Sequence, residues 1–126
     1  MPSILLIDDD EAFREMIATV LAAAGFTVGQ AADGVEGLKL IRAAPADLVI
    51  TDMVMPHGGL AAIRVLREQY PGVKVIAMTG GGSHRLGYAR DLGACYTLTK
   101  PFSSAQLTEA IASALASRPG QAPESS

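Results

Sequence analysis

Short, wholly apolar segments recur along the chain, and a segment with helical periodicity follows each of them. The clearest apolar runs are Ile4–Ile7, Leu48–Ile50 and Val73–Met78, and weaker strand candidates lie at Phe26–Ala31 and Tyr96–Leu98. Such runs are typical of strands buried on both faces of a parallel sheet. Because parallel strands need long crossover connections, usually helices, the alternation predicts an open α/β sheet with helices on both faces.

The intervening segments carry apolar residues at intervals of three and four, which is typical of amphipathic helices. The first helix presents a face made of Phe13, Met16, Ile17, Val20, Leu21 and Ala24. In the second helix we expect Val35, Leu38 and Ile41 to point inward. Three more helices are predicted, beginning near Leu60, at Ser83–Leu92 and after Ser103.

Caps are predicted at two of these helices from the spacing of polar residues. Asp33 is followed three residues later by Glu36, and Ser103 by Gln106. An oxygen-bearing side chain before a helix and an acid or amide three residues on can cap the free backbone N–H groups of its first turn. Both pairs therefore mark helix starts.

Length and composition limit the class of protein. A chain of 126 residues corresponds to one domain at roughly 100–200 residues per domain, predicted over 1–116. Residues 117–126 have no apolar pattern and are expected to be a disordered tail. A net charge of −3 and an aromatic content of 5% argue against direct nucleic-acid binding.

Cysteine content and hydropathy bear on the compartment. With a single cysteine, Cys95, the sequence can form neither an intramolecular disulfide nor a cysteine-based zinc site. No apolar run reaches the roughly 20 residues of a membrane span, so no membrane association is expected. We therefore expect a cytoplasmic location.

Polar residues cluster where the predicted strands end. Asp8 and Asp9 follow the first strand, Asp52 ends the third, Thr79 ends the fourth and Lys100 follows the fifth. In the strand order 2-1-3-4-5 the first and third strands are neighbours, so the three carboxylates converge. Converging carboxylates repel one another unless a cation lies between them, which predicts a Mg²⁺ site. The hydroxyl and the ammonium suit a phosphoryl group, and the set as a whole favours acyl-phosphate formation.

Four sequence motifs, in this order, resemble the receiver domain of two-component response regulators: ILLIDDD, DLVITDMVMP, VKVIAMTG and TLTKPF. The resemblance covers about residues 3–116. It implies a flavodoxin-like, doubly wound sheet of five parallel strands in the order 2-1-3-4-5 with five helices. It also implies that the protein acts in a phosphorelay and receives a phosphoryl group from a sensor histidine kinase or a histidine phosphotransfer protein.

The resemblance assigns roles to individual residues. Asp52 matches the phosphoryl acceptor, Asp9 the direct Mg²⁺ ligand, and Asp8 the acid that holds metal-bound water. Val54 matches the position whose backbone carbonyl binds the metal. Asp52 itself is also a metal ligand in this scheme.

On the opposite side of the site, Thr79 matches the hydroxyl that closes onto the phosphoryl oxygens. Lys100 matches the lysine that pairs with those oxygens, and its peptide bond to Pro101 is expected to be cis. Thr97 stands at the switch position, where many receivers carry a Tyr or Phe, and the adjacent Tyr96 should point to the other face of the strand. The predicted helix Ser83–Leu92 is then the expected route of the signal.

A second departure from the family pattern is a loop after Asp52 that is one residue shorter than usual. Two motifs, Thr-Gly-Gly-Gly after the fourth strand and TLTKPF, also resemble a subset of free-standing receivers, so we expect no output domain and a separate protein as the target. A homodimer formed on phosphorylation is a further option that the resemblance leaves open. The protein is expected to be a phosphoacceptor that assists its own phosphorylation and dephosphorylation, not an enzyme acting on other molecules.

Two alternative functions remain open at this point. The sequence Asp8-Asp9-Asp10 contains the Asp-x-Asp of haloacid-dehalogenase-like phosphatases, although Glu11-Ala12 stands where a Thr or Val is expected. The other alternative is a pseudo-receiver that uses the fold only as a docking surface. The usual sign of that class is loss of the Asp, Thr or Lys, and all three are present.

Overall fold

The computed structural model describes residues 2–52, 59–79, 96–116 and 124–125. Five parallel strands lie in the order β2-β1-β3-β4-β5, which confirms the predicted topology. The strands are β1 (Ser3–Ile7), β2 (Thr27–Ala31), β3 (Leu48–Asp52), β4 (Lys74–Thr79) and β5 (Tyr96–Thr99).

A short sixth strand, β6 (Glu124–Ser125), pairs in parallel with β5. The prediction of a disordered tail covers 117–126; two of those residues form this strand, and the others lie outside the described part of the chain. The outer edge of β5 carries backbone donors and acceptors with which an extended segment can pair. A polar segment can pair there without an apolar pattern, which explains why periodicity gave no sign of it.

Four helices connect the strands within the described residues: α1 (Glu11–Ala23), α2 (Gly34–Ala43), α3 (Gly59–Gln69) and α4 (Ser104–Ala116). The predicted helix at Ser83–Leu92 lies outside those residues. None of the helices in the described ranges combines the length and the hydropathy needed to cross a bilayer.

The predicted helix caps are present. Asp33 accepts a hydrogen bond from the Glu36 N–H at 2.8 Å. Ser103 and Gln106 form a reciprocal capping box: the Gln106 N–H donates to Ser103 Oγ at 3.1 Å, and the Ser103 N–H donates to Gln106 Oε1 at 2.8 Å. These bonds satisfy backbone donors that a helix start otherwise leaves free.

The core has two layers, one on each face of the sheet. Alternate strand residues face opposite sides, so one layer packs under α1 and α4 and the other under α2 and α3. The strand residues of the first layer are Ile4, Leu6, Leu48, Ile50, Ile76, Met78, Tyr96 and Leu98. Those of the second are Leu5, Ile7, Ala31, Val49, Val75 and Ala77.

Three residues of the predicted apolar faces are instead exposed: Met16 by 55%, Val35 by 53%, and Ala24 at the end of the first helix. In α1 the buried face includes Ile17 and Leu21, and Met16 lies about 100° around the helix from the first and about 140° from the second.

In α2 the face buries Gly34, Gly37 and Ile41. Of the predicted residues, Ile41 is buried and Leu38 packs on the second core layer. Glycine carries no apolar side chain, so the hydrophobic pattern pointed to Val35 and gave no sign of Gly34 and Gly37.

Close packing between α2 and β1 explains the glycine at position 37. A Cβ atom added at Gly37 would lie 2.5 Å from Ile7 Cδ1, well inside van der Waals contact. Gly37 therefore lets α2 pack directly on β1, and it does so one residue before Asp8.

Candidate functional site

The first and third strands bring two aspartates together at the carboxyl end of the sheet. Ile7 pairs with Thr51, so the next residues along the two strands, Asp8 and Asp52, lie side by side. Asp8 is fully buried and Asp52 is 8% exposed, whereas Asp9 is exposed. One oxygen from each of the three carboxylates lies within 4.8 Å of the others. The predicted convergence of Asp8, Asp9 and Asp52 is therefore present.

Lys100 bridges the two buried carboxylates. Its Nζ lies 2.9 Å from Asp8 Oδ2 and 2.9 Å from Asp52 Oδ2. Burial alone would lower the pKa of Lys100, but hydrogen bonds to Asp8 and Asp52 and their negative charges outweigh that effect. The pKa of Lys100 therefore lies above its ordinary 10.5, and the ammonium is charged at physiological pH.

Asp8 is held by backbone and side-chain contacts besides the lysine. Its Oδ1 accepts the Asp10 N–H at 2.9 Å, and its own N–H donates to the Ala31 carbonyl at 3.1 Å. Arg14 donates from an Nη atom to the Asp8 carbonyl oxygen at 2.7 Å and from Nε to Gln30 Oε1 at 3.2 Å. The loop after β1 is thus tied to β2 as well as to β5.

Sequence reasoning missed the role of Arg14. A signal for it exists, because a cation near the start of a helix opposes the helix dipole. Such a residue has to find its partner elsewhere, and here that partner is the carbonyl of Asp8.

Thr79 lies at the end of β4, immediately after Met78, whose partner on β3 is Asp52. It is 1% exposed, and its carbonyl oxygen accepts the Lys100 N–H at 2.7 Å. The structure thus brings Thr79, Asp52 and Lys100 to one edge of the sheet, as the sequence predicts.

The switch position on β5 carries a buried threonine. Thr97 pairs with Ala77 and is 1% exposed. Tyr96 packs with Leu98 in the core layer under α1 and α4, on the opposite face of the strand. The prediction that the Tyr96 ring points away from the Thr97 side is confirmed.

The peptide bond between Lys100 and Pro101 is cis, as predicted. Val54 and most of the shortened stretch Met55–Leu60 lie outside the described residues, which resume at Gly59 with the start of α3. The predicted carbonyl ligand therefore stays a prediction.

A second contact of Lys100 is aromatic, and sequence reasoning did not anticipate it. Its Nζ lies 4.3 Å from the centroid of the Phe13 ring. Phe13 in turn meets Phe102 edge-on, with ring centroids 5.9 Å apart and planes at 84°. Periodicity had assigned Phe13 only to the apolar face of α1, where it does pack against the first core layer.

The charge balance of this cluster fits a divalent cation. Three carboxylates lie close together and one ammonium contacts two of them, so the formal charges leave two negative charges unmatched. The donors are all carboxylate oxygens, which hard ions such as Mg²⁺ prefer. The residues present are therefore suited to hold Mg²⁺.

Comparisons with known proteins agree with this geometry. The family model for the response regulator receiver domain matches residues 4–112. The photosynthetic apparatus regulatory protein RegA of Cereibacter sphaeroides is 32% identical over 111 residues, 86% of this chain and 60% of that protein. The sensor kinase CckA of Brucella abortus is 35% identical over 115 residues, 86% of this chain but 12% of that protein. The chain thus spans 60% or less of the length of these curated relatives.

Solved structures show the same fold. A response regulator receiver domain protein from Clostridium thermocellum superposes with a TM-score of 0.84 at 33% identity, covering 91% of this chain and 94% of that one. The chemotaxis response regulator CheY4 of Vibrio cholerae gives a TM-score of 0.83 at 29% identity, covering 89% and 97%. With the family model matched across most of its length, the chain belongs to the response regulator receiver domains of two-component systems.

Proposed function

We propose that this chain is a Mg²⁺-dependent phosphoacceptor in which Asp52 receives a phosphoryl group. The observation that carries the proposal is the single ammonium of Lys100, 2.9 Å from both Asp8 and Asp52. The carboxyl end of the sheet therefore carries a nucleophilic carboxylate, a fixed cation and a surplus of negative charge. The proposed donor is the phosphohistidine of a sensor histidine kinase or of a histidine phosphotransfer protein.

The proposed reaction is a direct transfer between nitrogen and oxygen. A carboxylate oxygen of Asp52 attacks the phosphorus, the P–N bond breaks, and its electron pair returns to the imidazole nitrogen of the donor. The product is an acyl phosphate on Asp52. In this proposal Lys100, which contacts Asp52, pairs with one phosphoryl oxygen, and the Thr79 hydroxyl donates to another.

Asp9 and Asp52 would bind Mg²⁺ directly, Asp8 would hold its water, and Val54 would add its carbonyl. When bound, Mg²⁺ supplies positive charge that offsets the charge of the incoming phosphoryl group. A bound cation would also offset the repulsion between the three carboxylates, which lie close together in this site. In this proposal the cation is part of the resting state, and phosphorylation depends on it.

The signal would leave the site as a conformational change. Thr79 would move toward the phosphoryl oxygens and draw the chain after β4 with it. That movement would be transmitted to the predicted helix at Ser83–Leu92. Because Thr97 carries no ring, this route would not use the rotation of an aromatic side chain at that position. The target would be another protein, in line with the net charge of −3.

Phosphorylation by a small-molecule donor tests the proposal. With acetyl phosphate and Mg²⁺, intact-mass measurement should show one added phosphoryl group on the wild-type protein and none on Asp52→Asn. The matched control is Asp47→Asn, which changes the same residue type at the opposite end of the sheet and should be labelled normally.

Other outcomes of this experiment would overturn the proposal. Equal labelling of Asp52→Asn would exclude Asp52 as the acceptor. Failure of the wild-type protein to respond to acetyl phosphate or to beryllofluoride would favour a docking module without phosphoryl chemistry. Steady turnover of a phosphomonoester would instead favour a phosphatase.

A further inference from the structure

The ammonium of Lys100 has three contacts of different kinds. Two are the hydrogen bonds to Asp8 Oδ2 and Asp52 Oδ2, each 2.9 Å. The third is the ring of Phe13, whose centroid lies 4.3 Å from Nζ. The face of an aromatic ring carries negative electrostatic potential and attracts a cation within about 6 Å of the centroid. The ring therefore acts on the same charge as the two carboxylates.

Phe13 is itself fixed both at its backbone and at its ring. The Phe13 N–H donates to Asp10 Oδ1 at 3.0 Å, in the cap that begins α1. From the other side, Phe102 packs edge-on against the ring. The backbone of Phe13 is therefore anchored to the loop that carries the acids, and its ring packs on the segment that follows Lys100. A lysine side chain has four rotatable bonds, so a fixed ring limits where its ammonium can lie.

We propose that Phe13 is a positioning residue for Lys100. The ring face holds the ammonium at the site when Asp52 becomes phosphorylated and Lys100 moves its hydrogen bond from the carboxylate to a phosphoryl oxygen. Phe13 touches neither the phosphoryl group nor the metal in this scheme, and it acts only through the lysine. The inference rests on the proposed function for its effect on rate, but the contact itself does not.

The test is a series of fluorinated phenylalanines at position 13, which weaken the negative ring face while leaving the ring's shape nearly unchanged. The rate constant for phosphorylation by acetyl phosphate, at saturating Mg²⁺, should fall stepwise with each added fluorine. We expect a total decrease of roughly two- to five-fold, the size of a partly exposed cation–π contact. The matched control is the same series at Phe26, which packs on the first core layer beside the start of β2; its rate should not change.

A second readout needs neither Mg²⁺ nor a phosphoryl donor. Protons above a ring face resonate upfield, so the ε-methylene protons of Lys100 should be shifted in the wild-type NMR spectrum. The shift should be lost in Phe13→Leu and kept in Phe26→Leu. Ordinary shifts in the wild type would overturn the contact, and shifted protons with a flat rate series would overturn the positioning role. Absence of phosphorylation in the wild type would instead count against the proposed function, so the two failures are distinguishable.

Discussion

The two ends of the sheet use the same residue type in opposite ways. At the amino end, Asp47 is exposed, and its Oδ2 accepts the Ser3 N–H at 2.8 Å. Its backbone joins β1 to β4, because its N–H donates to the Ser3 carbonyl at 2.9 Å and its carbonyl accepts the Lys74 N–H at 3.1 Å. This carboxylate stabilises the start of the strands and stays in contact with water.

At the carboxyl end, Asp8 and Asp52 are buried, and their oxygens share a small volume with those of Asp9. Burial and like charge both disfavour ionised carboxylates, so this arrangement costs stability until cations offset it. The comparison teaches that an aspartate alone indicates nothing about function. What distinguishes the site is the accumulation of acids around one lysine, at the edge where parallel sheets bind ligands.

Mg²⁺ should give the largest difference between the two ends. A ligand that binds only the folded state at one hundred times its Kd raises the free energy of unfolding by about 2.7 kcal/mol. We expect that gain for the wild type and for Asp47→Ala, and its loss in Asp9→Ala. Urea denaturation with Mg²⁺ and with EDTA measures it.

If Asp9→Ala keeps the full Mg²⁺ effect, the assigned difference between the two ends is wrong, because the ion would then bind elsewhere. Loss of the Mg²⁺ effect in Asp47→Ala would also contradict it, since that residue lies at the other end of the sheet.

Removal of the lysine charge should have the next largest effect. In Lys100→Met the fully buried Asp8 loses its ion pair, and an uncompensated buried charge is strongly destabilising. Because the Lys100 side chain is 22% exposed, water moderates the cost, and we expect a loss of about 2 kcal/mol in metal-free buffer. Denaturation in EDTA is the measurement. Lys39→Met, on the exposed side of α2, is the control and should stay within about 0.5 kcal/mol of the wild type; a similar small change for Lys100→Met would contradict the assigned ion pairs.

The strand order and the meeting of Asp8, Asp52, Thr79 and Lys100 could be predicted because each lies beside an unambiguous apolar run. The parallel topology then fixes which strand ends share an edge. Only part of the inward face of α2 could be predicted: Ile41 is buried and Leu38 packs on the core as expected, whereas Gly34 and Gly37 are buried but carry no apolar side chain to count. The contacts of Arg14 and Phe13 were missed for another reason. They depend on how α1 is rotated over the sheet, and Phe13 satisfies the helical pattern whether or not it meets a lysine.

Alanine substitutions in metal-free buffer should shift stability in opposite directions at the two ends. Asp9→Ala removes one member of a repelling cluster, and it should raise the melting temperature by about 2 °C. Asp47→Ala removes the acceptor of the Ser3 N–H and should lower the melting temperature by about 4 °C, as expected for one solvent-exposed hydrogen bond that contributes about 1 kcal/mol. Thermal melts in EDTA test both. A decrease in both variants would mean that Asp9 is stabilising and that the cluster is not under electrostatic strain.

The smallest expected effect is the alkaline dependence of the Lys100 contribution. The pKa of Lys100 is raised above 10.5 in the folded protein by its hydrogen bonds to Asp8 and Asp52 and by their charges, which outweigh the lowering effect of burial. The folded state therefore holds this proton more tightly than the unfolded chain, whose lysines titrate near 10.4. The resulting stability is fully present below that pH and is lost as the pH rises through the higher, folded-state pKa.

The difference in free energy of unfolding between the wild type and Lys100→Met should thus be constant from pH 7 to 9 and should shrink above about pH 10.5. Subtraction of the two denaturation curves at each pH cancels the titration of residues common to both proteins, and the Lys39→Met difference should stay flat. A Lys100→Met difference that stays flat above pH 11 would mean that Asp8 and Asp52 do not depend on the lysine charge, and a difference that shrinks between pH 7 and 9 would mean that burial dominates over the ion pairs.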